Sequence, residues 1–192
     1  AYLGVVYSGH CYAPVDGSLP EERIESILSV CRPALVICDS DHIEKIKPIC
    51  NEMKLHVVCM EDLAGHLSEN PTVSELESND LCSCTTMTDC KTSVVRSSSD
   101  PLYIIFTSGS SGTPKGVITG HESLMNYIEA YEDVMGITEE DTLGNQSPLD
   151  YIAAIRDIYL PLLTGCSTFI IPKEYFMEPD KLFNCMTEQH VT

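Results

Sequence analysis

The chain of 192 residues carries 11 lysines plus arginines against 29 aspartates plus glutamates, a formal net charge of −18, and 43% of it is apolar. That length suits one sizeable core, or at a stretch two small ones. The charge argues against a general nucleic-acid binder and against electrostatic docking on an anionic membrane, since both need a basic surface. No apolar run reaches the roughly 18 residues of a spanning helix.

Ala1–Gly9 reads as structured chain rather than a basic leader, no targeting segment is visible, and His190–Thr192 ends without a cap; the expectation is an internal piece of a longer chain. The spacing of Ile24, Ile27 and Leu28 predicts a helix over Arg23–Val30. Ser18 is its expected cap, Pro20 suits the first turn, Glu21 and Glu22 favour the positive end, and Arg32–Pro33 stops it. Ala34–Cys38 is an apolar strand; a second helix runs from Asp39 or Ser40 to about Met53, and Leu55–Cys59 is another apolar strand. Uninterrupted hydrophobicity in alternation with helices predicts an α/β fold, with mostly parallel sheets flanked by helices.

Leu67–Ser99 is a variable connector, with a short helical turn expected at Ser74–Glu77. Leu102–Phe106 is a strand, Val117–Thr119 a short strand, and His121 opens a helix to about Met135. A strand at Leu143–Gln146, a helix over Tyr151–Leu163 ended by Thr164–Gly165, a strand at Thr168–Ile171 and a last helix over Pro179–Glu188 complete the chain.

The ten cysteines (11, 31, 38, 50, 59, 82, 84, 90, 166 and 185) lie largely in apolar runs. They read as reduced, intracellular packing residues, because a chain of this size needs no disulfide framework. Cys82, Cys84 and Cys90 form C-x-C-x5-C, too loose for the roughly four ligands of a zinc centre, so no metal site is expected. Gly109-Ser-Ser-Gly112 lacks the G-x-S-x-G order of a hydrolase nucleophile. His121 is expected to brace the turn before its helix rather than act as a base.

Chemistry concentrates in Thr107-Ser-Gly-Ser-Ser-Gly-Thr-Pro-Lys-Gly116. Gly109, Gly112 and Gly116 let backbone amides approach a ligand; Thr107, Ser108, Ser110, Ser111 and Thr113 add hydroxyls, and Lys115 adds a cation. Amides, hydroxyls and one ammonium make a phosphate cradle, placed after an apolar strand where α/β proteins bind ligands. A flexible surface loop is the alternative. The order of Pro114, Lys115 and Gly116 excludes a Walker loop, and the G-x-G-x-x-G dinucleotide pattern is absent.

Tyr103 through Val117 closely resembles the phosphate-loop signature of adenylate-forming enzymes, most of all the adenylation domains of non-ribosomal peptide synthetases, with Ser111 where threonine is usual. Tyr12-Ala-Pro-Val-Asp16 with Pro20-Glu-Glu-Arg-Ile24, His121-Glu-Ser-Leu-Met-Asn126 and Pro161-Leu-Leu-Thr-Gly165 extend the resemblance along the chain. It implies a partial large N-terminal subdomain, with the adenine site, the catalytic lysine of the family and the C-terminal subdomain lying outside residues 1–192. It implies a cytoplasmic ligase that activates an amino acid or related carboxylic acid with ATP and Mg²⁺. The acyl group then passes to phosphopantetheine on a carrier-protein domain among neighbouring synthetase domains. Thr107, Ser108, Gly109, Ser110, Ser111, Gly112, Thr113, Lys115 and Gly116 would engage the phosphates, with Lys115 the candidate catalytic cation at the developing pyrophosphate.

One departure concerns the acid. The family's F-D-x-S aspartate pairs with the substrate ammonium; counting back from Asp157, its place falls on Ile152, and Asp150 lies two positions early. Asp150 and Ile152 are the candidate substrate-binding residues. Either an insertion carries Asp150 into the pocket, or the pocket lacks that carboxylate and favours a hydroxy, keto, aryl or otherwise modified acid. Asp150 could instead cap the helix at Tyr151. An acyl-CoA ligase and a non-catalytic interaction subdomain are the rival readings of the whole.

Overall fold

The computed structural model describes residues 1–62, 97–108 and 112–192. The helical turn expected at Ser74–Glu77, most of the connector, Cys82, Cys84 and Cys90 lie outside the described residues. The chain divides into two compact units, 1–12, 17–97 and 108–115 in one and 13–16, 98–107 and 116–192 in the other.

The first unit opens with helix α1 (Tyr2–Tyr7), followed by α2 (Glu21–Cys31), strand β1 (Leu35–Cys38), α3 (Ile43–Met53) and β2 (His56–Cys59). In α2 the residues Ile24, Ile27 and Leu28 are buried and Glu21 and Glu22 sit in the first turn, as the spacing predicts. Ser18 does not cap it: Pro20 holds the cap position, with no side-chain hydrogen bond. Arg32 ends it in the left-handed region (φ 47°), its N–H donating to the Leu28 carbonyl. Lys54 ends α3 in the same conformation (φ 57°).

The second helix starts later than Asp39 or Ser40. The Asp39 carboxylate accepts from the His42 backbone N–H at 3.0 Å and meets its Nδ1 at 2.6 Å, closing a turn before Ile43. Such side-chain capture of a backbone donor competes with helix. Strands β1 and β2 pair in parallel, Leu35 opposite His56 through Cys38 opposite Cys59, joined by α3 as a βαβ crossover. Ile46, Ile49 and Cys50 of α3 are buried. Lys45 Nζ donates to the Gly17 carbonyl at 2.9 Å and to that of Leu19, pinning the loop before α2.

The second unit holds β3 (Pro101–Thr107), β4 (Lys115–Gly120, Lys115 itself counted with the first unit), α4 (His121–Met135), β5 (Thr142–Asn145), α5 (Ile152–Thr164), β6 (Ser167–Ile170), a 3-10 turn at Lys173–Met177 and α6 (Pro179–Glu188). The 3-10 turn has no counterpart in the sequence reading. Strands β3 and β4 are neighbours. The connection between them is shorter than the roughly dozen residues a parallel crossover needs, so this pair is antiparallel. Strands β5 and β6 pair in parallel from Thr142 opposite Ser167 to Asn145 opposite Ile170, with α5 as the crossover. The architecture is thus α/β with mixed sheets, parallel in two of the pairs and antiparallel in the third.

Leu102, Tyr103 and Ile105 of β3, Leu124 and Ile128 of α4, and Ala154, Ile155 and Leu160 of α5 are buried. Gly136 (φ 64°) and Gly165 (φ 80°) terminate α4 and α5, where a Cβ would be strained. The Thr168 hydroxyl donates to the Asp157 carbonyl at 2.6 Å, tying β6 to its crossover helix. At the edge of β5, Thr192 N–H donates to the Thr142 carbonyl at 3.1 Å. The Thr192 hydroxyl donates to Asp141 Oδ1 at 2.8 Å. Among the described residues the cysteines are free, with Cys50, Cys59 and Cys166 buried as packing residues.

Candidate active site

Strand β3 ends on Thr107, which is exposed, as are Ser108, Gly112, Thr113 and Lys115; Pro114, at the return of the turn, is buried. Gly109, Ser110 and Ser111 lie outside the described residues. Gly112 has φ +81° with open space where a Cβ would stand, a backbone state that glycine reaches without strain. Lys115 is the first residue of β4. At Gly116 the constraint is proximity: a Cβ would stand 2.8 Å from Ile104 Cγ2 and 3.3 Å from the Phe106 ring.

The amides that open α4 are already occupied. His121 N–H donates to the Asp100 carbonyl at 3.2 Å and Glu122 N–H to that of Ser98 at 2.9 Å. Chain carbonyls thus take two of the donors that an anion would use at this helix start. The His121 backbone N–H thus ties the start of α4 to the segment before β3.

The candidate acid-binding residues lie after β5, at the carboxyl end of a parallel pair, the usual ligand edge of such sheets. Asp150 is half-buried in a turn. It does not cap α5: Tyr151 holds that position in extended conformation, with no side-chain cap bond. Ile152 opens the helix and is 51% exposed. Asn145, at the end of β5, is 1% exposed. Its Oδ1 accepts from Ser147 N–H at 2.7 Å, while its buried Nδ2 has no hydrogen-bond partner among the described residues.

One turn into α5 lies a group that the sequence reading passed over. Arg156 Nε donates to Asp157 Oδ1 at 2.6 Å. Asp157 is 3% exposed and Arg156 26%. The guanidinium lies 4.7 Å from the centre of the Tyr131 ring, and that ring sits 6.3 Å from Tyr127. The Asp157 hydrogen bond, with the nearby Tyr131 and Tyr127 hydroxyls adding less, raises the Arg156 pKa above its ordinary value. Its signal in the sequence is its spacing, four residues after Ile152 and hence on the same helix face.

Comparison with known proteins agrees with this arrangement of strands, turn and crossover helices. The profile of the family described as AMP-binding enzyme matches residues 1–192. The chain is 29% identical over 190 residues to the hybrid PKS-NRPS synthetase pydA of Acremonium sp., covering 99% of this chain and 4% of that synthetase. A solved McyG A-PCP structure complexed with phenylalanyl-adenylate superposes with a TM-score of 0.76 at 19% identity, over 100% of this chain and 29% of that one. ATP-bound MatB from Rhodopseudomonas palustris gives 0.70 at 21% identity, over 97% and 34%. At these identities the structures speak to the fold, which is the α/β fold of adenylate-forming ligases. The chain belongs to the AMP-binding enzyme family. Among the described residues, no helix is long and apolar enough to cross a membrane.

Proposed function

We propose that residues 1–192 form part of the large N-terminal subdomain of an adenylation domain, and that the longer protein activates a small carboxylic acid as its acyl-adenylate. The carboxylate oxygen attacks the α-phosphorus of ATP and pyrophosphate leaves. The phosphopantetheine thiol of a carrier-protein domain then attacks the acyl carbon and AMP leaves, within a cytoplasmic synthetase. The observation that carries this reading is the turn between β3 and β4: Gly112 in the left-handed region, the exposed hydroxyl-bearing residues Thr107, Ser108 and Thr113, and Lys115 exposed at the first position of β4.

In this reading the turn, with Gly109, Ser110 and Ser111, holds the β and γ phosphates. Lys115 sets a positive charge where pyrophosphate develops negative charge. The donors are amides, hydroxyls and an ammonium, which suit phosphate oxygens rather than a cation. Among the described residues no group of three or more His, Cys, Asp or Glu could hold a metal. In this reading Mg²⁺ travels with the triphosphate, as is common for that ion. Asp150 and Ile152 lie on the acid's side, at the carboxyl edge of β5 and β6.

The test is acid-dependent ATP–pyrophosphate exchange by the longer protein, across a panel of carboxylic acids. Exchange that depends on one acid class and falls in Lys115→Ala supports the reading. A folded protein that neither exchanges nor binds ATP refutes it and favours an interaction module; transfer to free coenzyme A rather than a carrier favours the acyl-CoA ligase.

A further inference from the structure

We propose that Arg156 reads a second carboxylate on the acid, so that the enzyme selects dicarboxylic substrates. This rests on the adenylation reading above and names the substrate class of its acid site. Arg156 follows Ile152 by four positions, about 6 Å along the α5 axis, and Ile152 opens the helix at the carboxyl edge of β5 and β6.

The side chain is held ready. Its Nε is fixed by the carboxylate of Asp157, itself 3% exposed, and the Tyr131 ring lies over the guanidinium. Among the described residues neither terminal amino group makes a hydrogen bond. Those two amino groups are the fork that grips a carboxylate in two parallel bonds. A guanidinium that served only to neutralise Asp157 would need no more than its Nε contact. Here the ring and the carboxylate also fix its plane, so little rotamer freedom is lost when a ligand binds. Tyr127, 6.3 Å from Tyr131, supplies a further aromatic wall. Ile152, where the family carries an ammonium-pairing aspartate, leaves the first turn of α5 without a carboxylate to repel a second acid group.

The experiment is ATP–pyrophosphate exchange by the longer protein with length-matched pairs: succinate against butyrate, and aspartate against 2-aminobutyrate. The unmodified protein is expected to favour the dicarboxylate by at least roughly tenfold in kcat/KM. Arg156→Gln should abolish that preference, chiefly through a raised KM for the dicarboxylate. Because Arg156→Gln leaves Asp157 buried without its partner, the double variant Arg156→Gln/Asp157→Asn removes both charges and should fold, by circular dichroism, with the same loss. A preference for monocarboxylates, or a ratio unchanged in the folded double variant, overturns the proposal while adenylation stands. Absence of exchange with every acid, in a folded protein, overturns the adenylation reading and this proposal with it.

Discussion

A β-carbon on Gly116 would stand 2.8 Å from Cγ2 of Ile104, closer than real side-chain contacts approach. The return of the glycine turn into β4 is therefore set by a steric limit on the neighbouring strand. Gly116→Ala should destabilise the protein by about 1–3 kcal/mol, read by chemical denaturation. Ile104→Leu removes the offending methyl, so the pair should recover part of the loss. Full additivity of the two changes would contradict this packing.

Lys115 is exposed, so its loss should barely alter folding while depriving the phosphates of charge. Lys115→Ala is expected to change stability by no more than about 0.5 kcal/mol and to lower pyrophosphate exchange by roughly 10²–10³. Lys115→Arg should retain part of the activity. Parallel loss of folding and exchange in Lys115→Ala would count against the cradle.

Asp157 and Arg156 differ in burial, and their removal should differ in cost. Arg156→Ala leaves a carboxylate buried and unpaired, at about 3–5 kcal/mol. Asp157→Ala leaves a guanidinium that still reaches water, at about 1.5–3 kcal/mol. Denaturation of the two variants decides the order; the reverse order would mean that Asp157 is solvated in solution.

The Thr138 backbone N–H foremost, with the Thr192 and Thr138 hydroxyls, holds the Asp141 carboxyl below its usual range. A lowered folded value means that the contribution is full above the ordinary carboxylate pKa and disappears as pH falls through the lower value. Asp141→Asn should therefore flatten the dependence of melting temperature on pH below the ordinary carboxylate pKa of about 4. An unchanged profile would show those bonds absent in solution.

Burial foremost, with the neighbouring Cys59, pushes the Cys38 thiol up to about 11. Cys38 should stay protonated at neutral pH and alkylate far more slowly than exposed Cys11, as peptide mapping after iodoacetamide would show. The raised value stabilises the fold fully below the ordinary thiol pKa, and that contribution is lost as pH rises through about 11. Equal labelling of the two thiols would contradict the burial of Cys38.

Elements were legible where composition and stop signals coincide. The helix from His121 to Met135 ends on Gly136, and the last helix begins on Pro179, and both were bounded from sequence. The parallel pairing of β1 with β2 followed from the apolar runs at Ala34–Cys38 and Leu55–Cys59. What escaped depends on partners outside the local chain or on competing local bonds. Asp39 captures His42 and delays α3; Pro20 displaces Ser18 at the start of α2; and the β3 pattern predicts a strand without revealing an antiparallel neighbour. In the candidate site, Gly112 and Lys115 were readable from the motif. Arg156 was not, because its bracing comes from Tyr131, on a different helix.

Arg32 and Lys54 each close a helix in a left-handed conformation that costs a side-chain-bearing residue about 1 kcal/mol and glycine far less. Both ends therefore hold a reserve for engineering. Arg32→Gly and Lys54→Gly lie at helix termini rather than in the glycine turn, and could offset the thermal penalty of remodelling the acid pocket in a protein redirected to a new substrate.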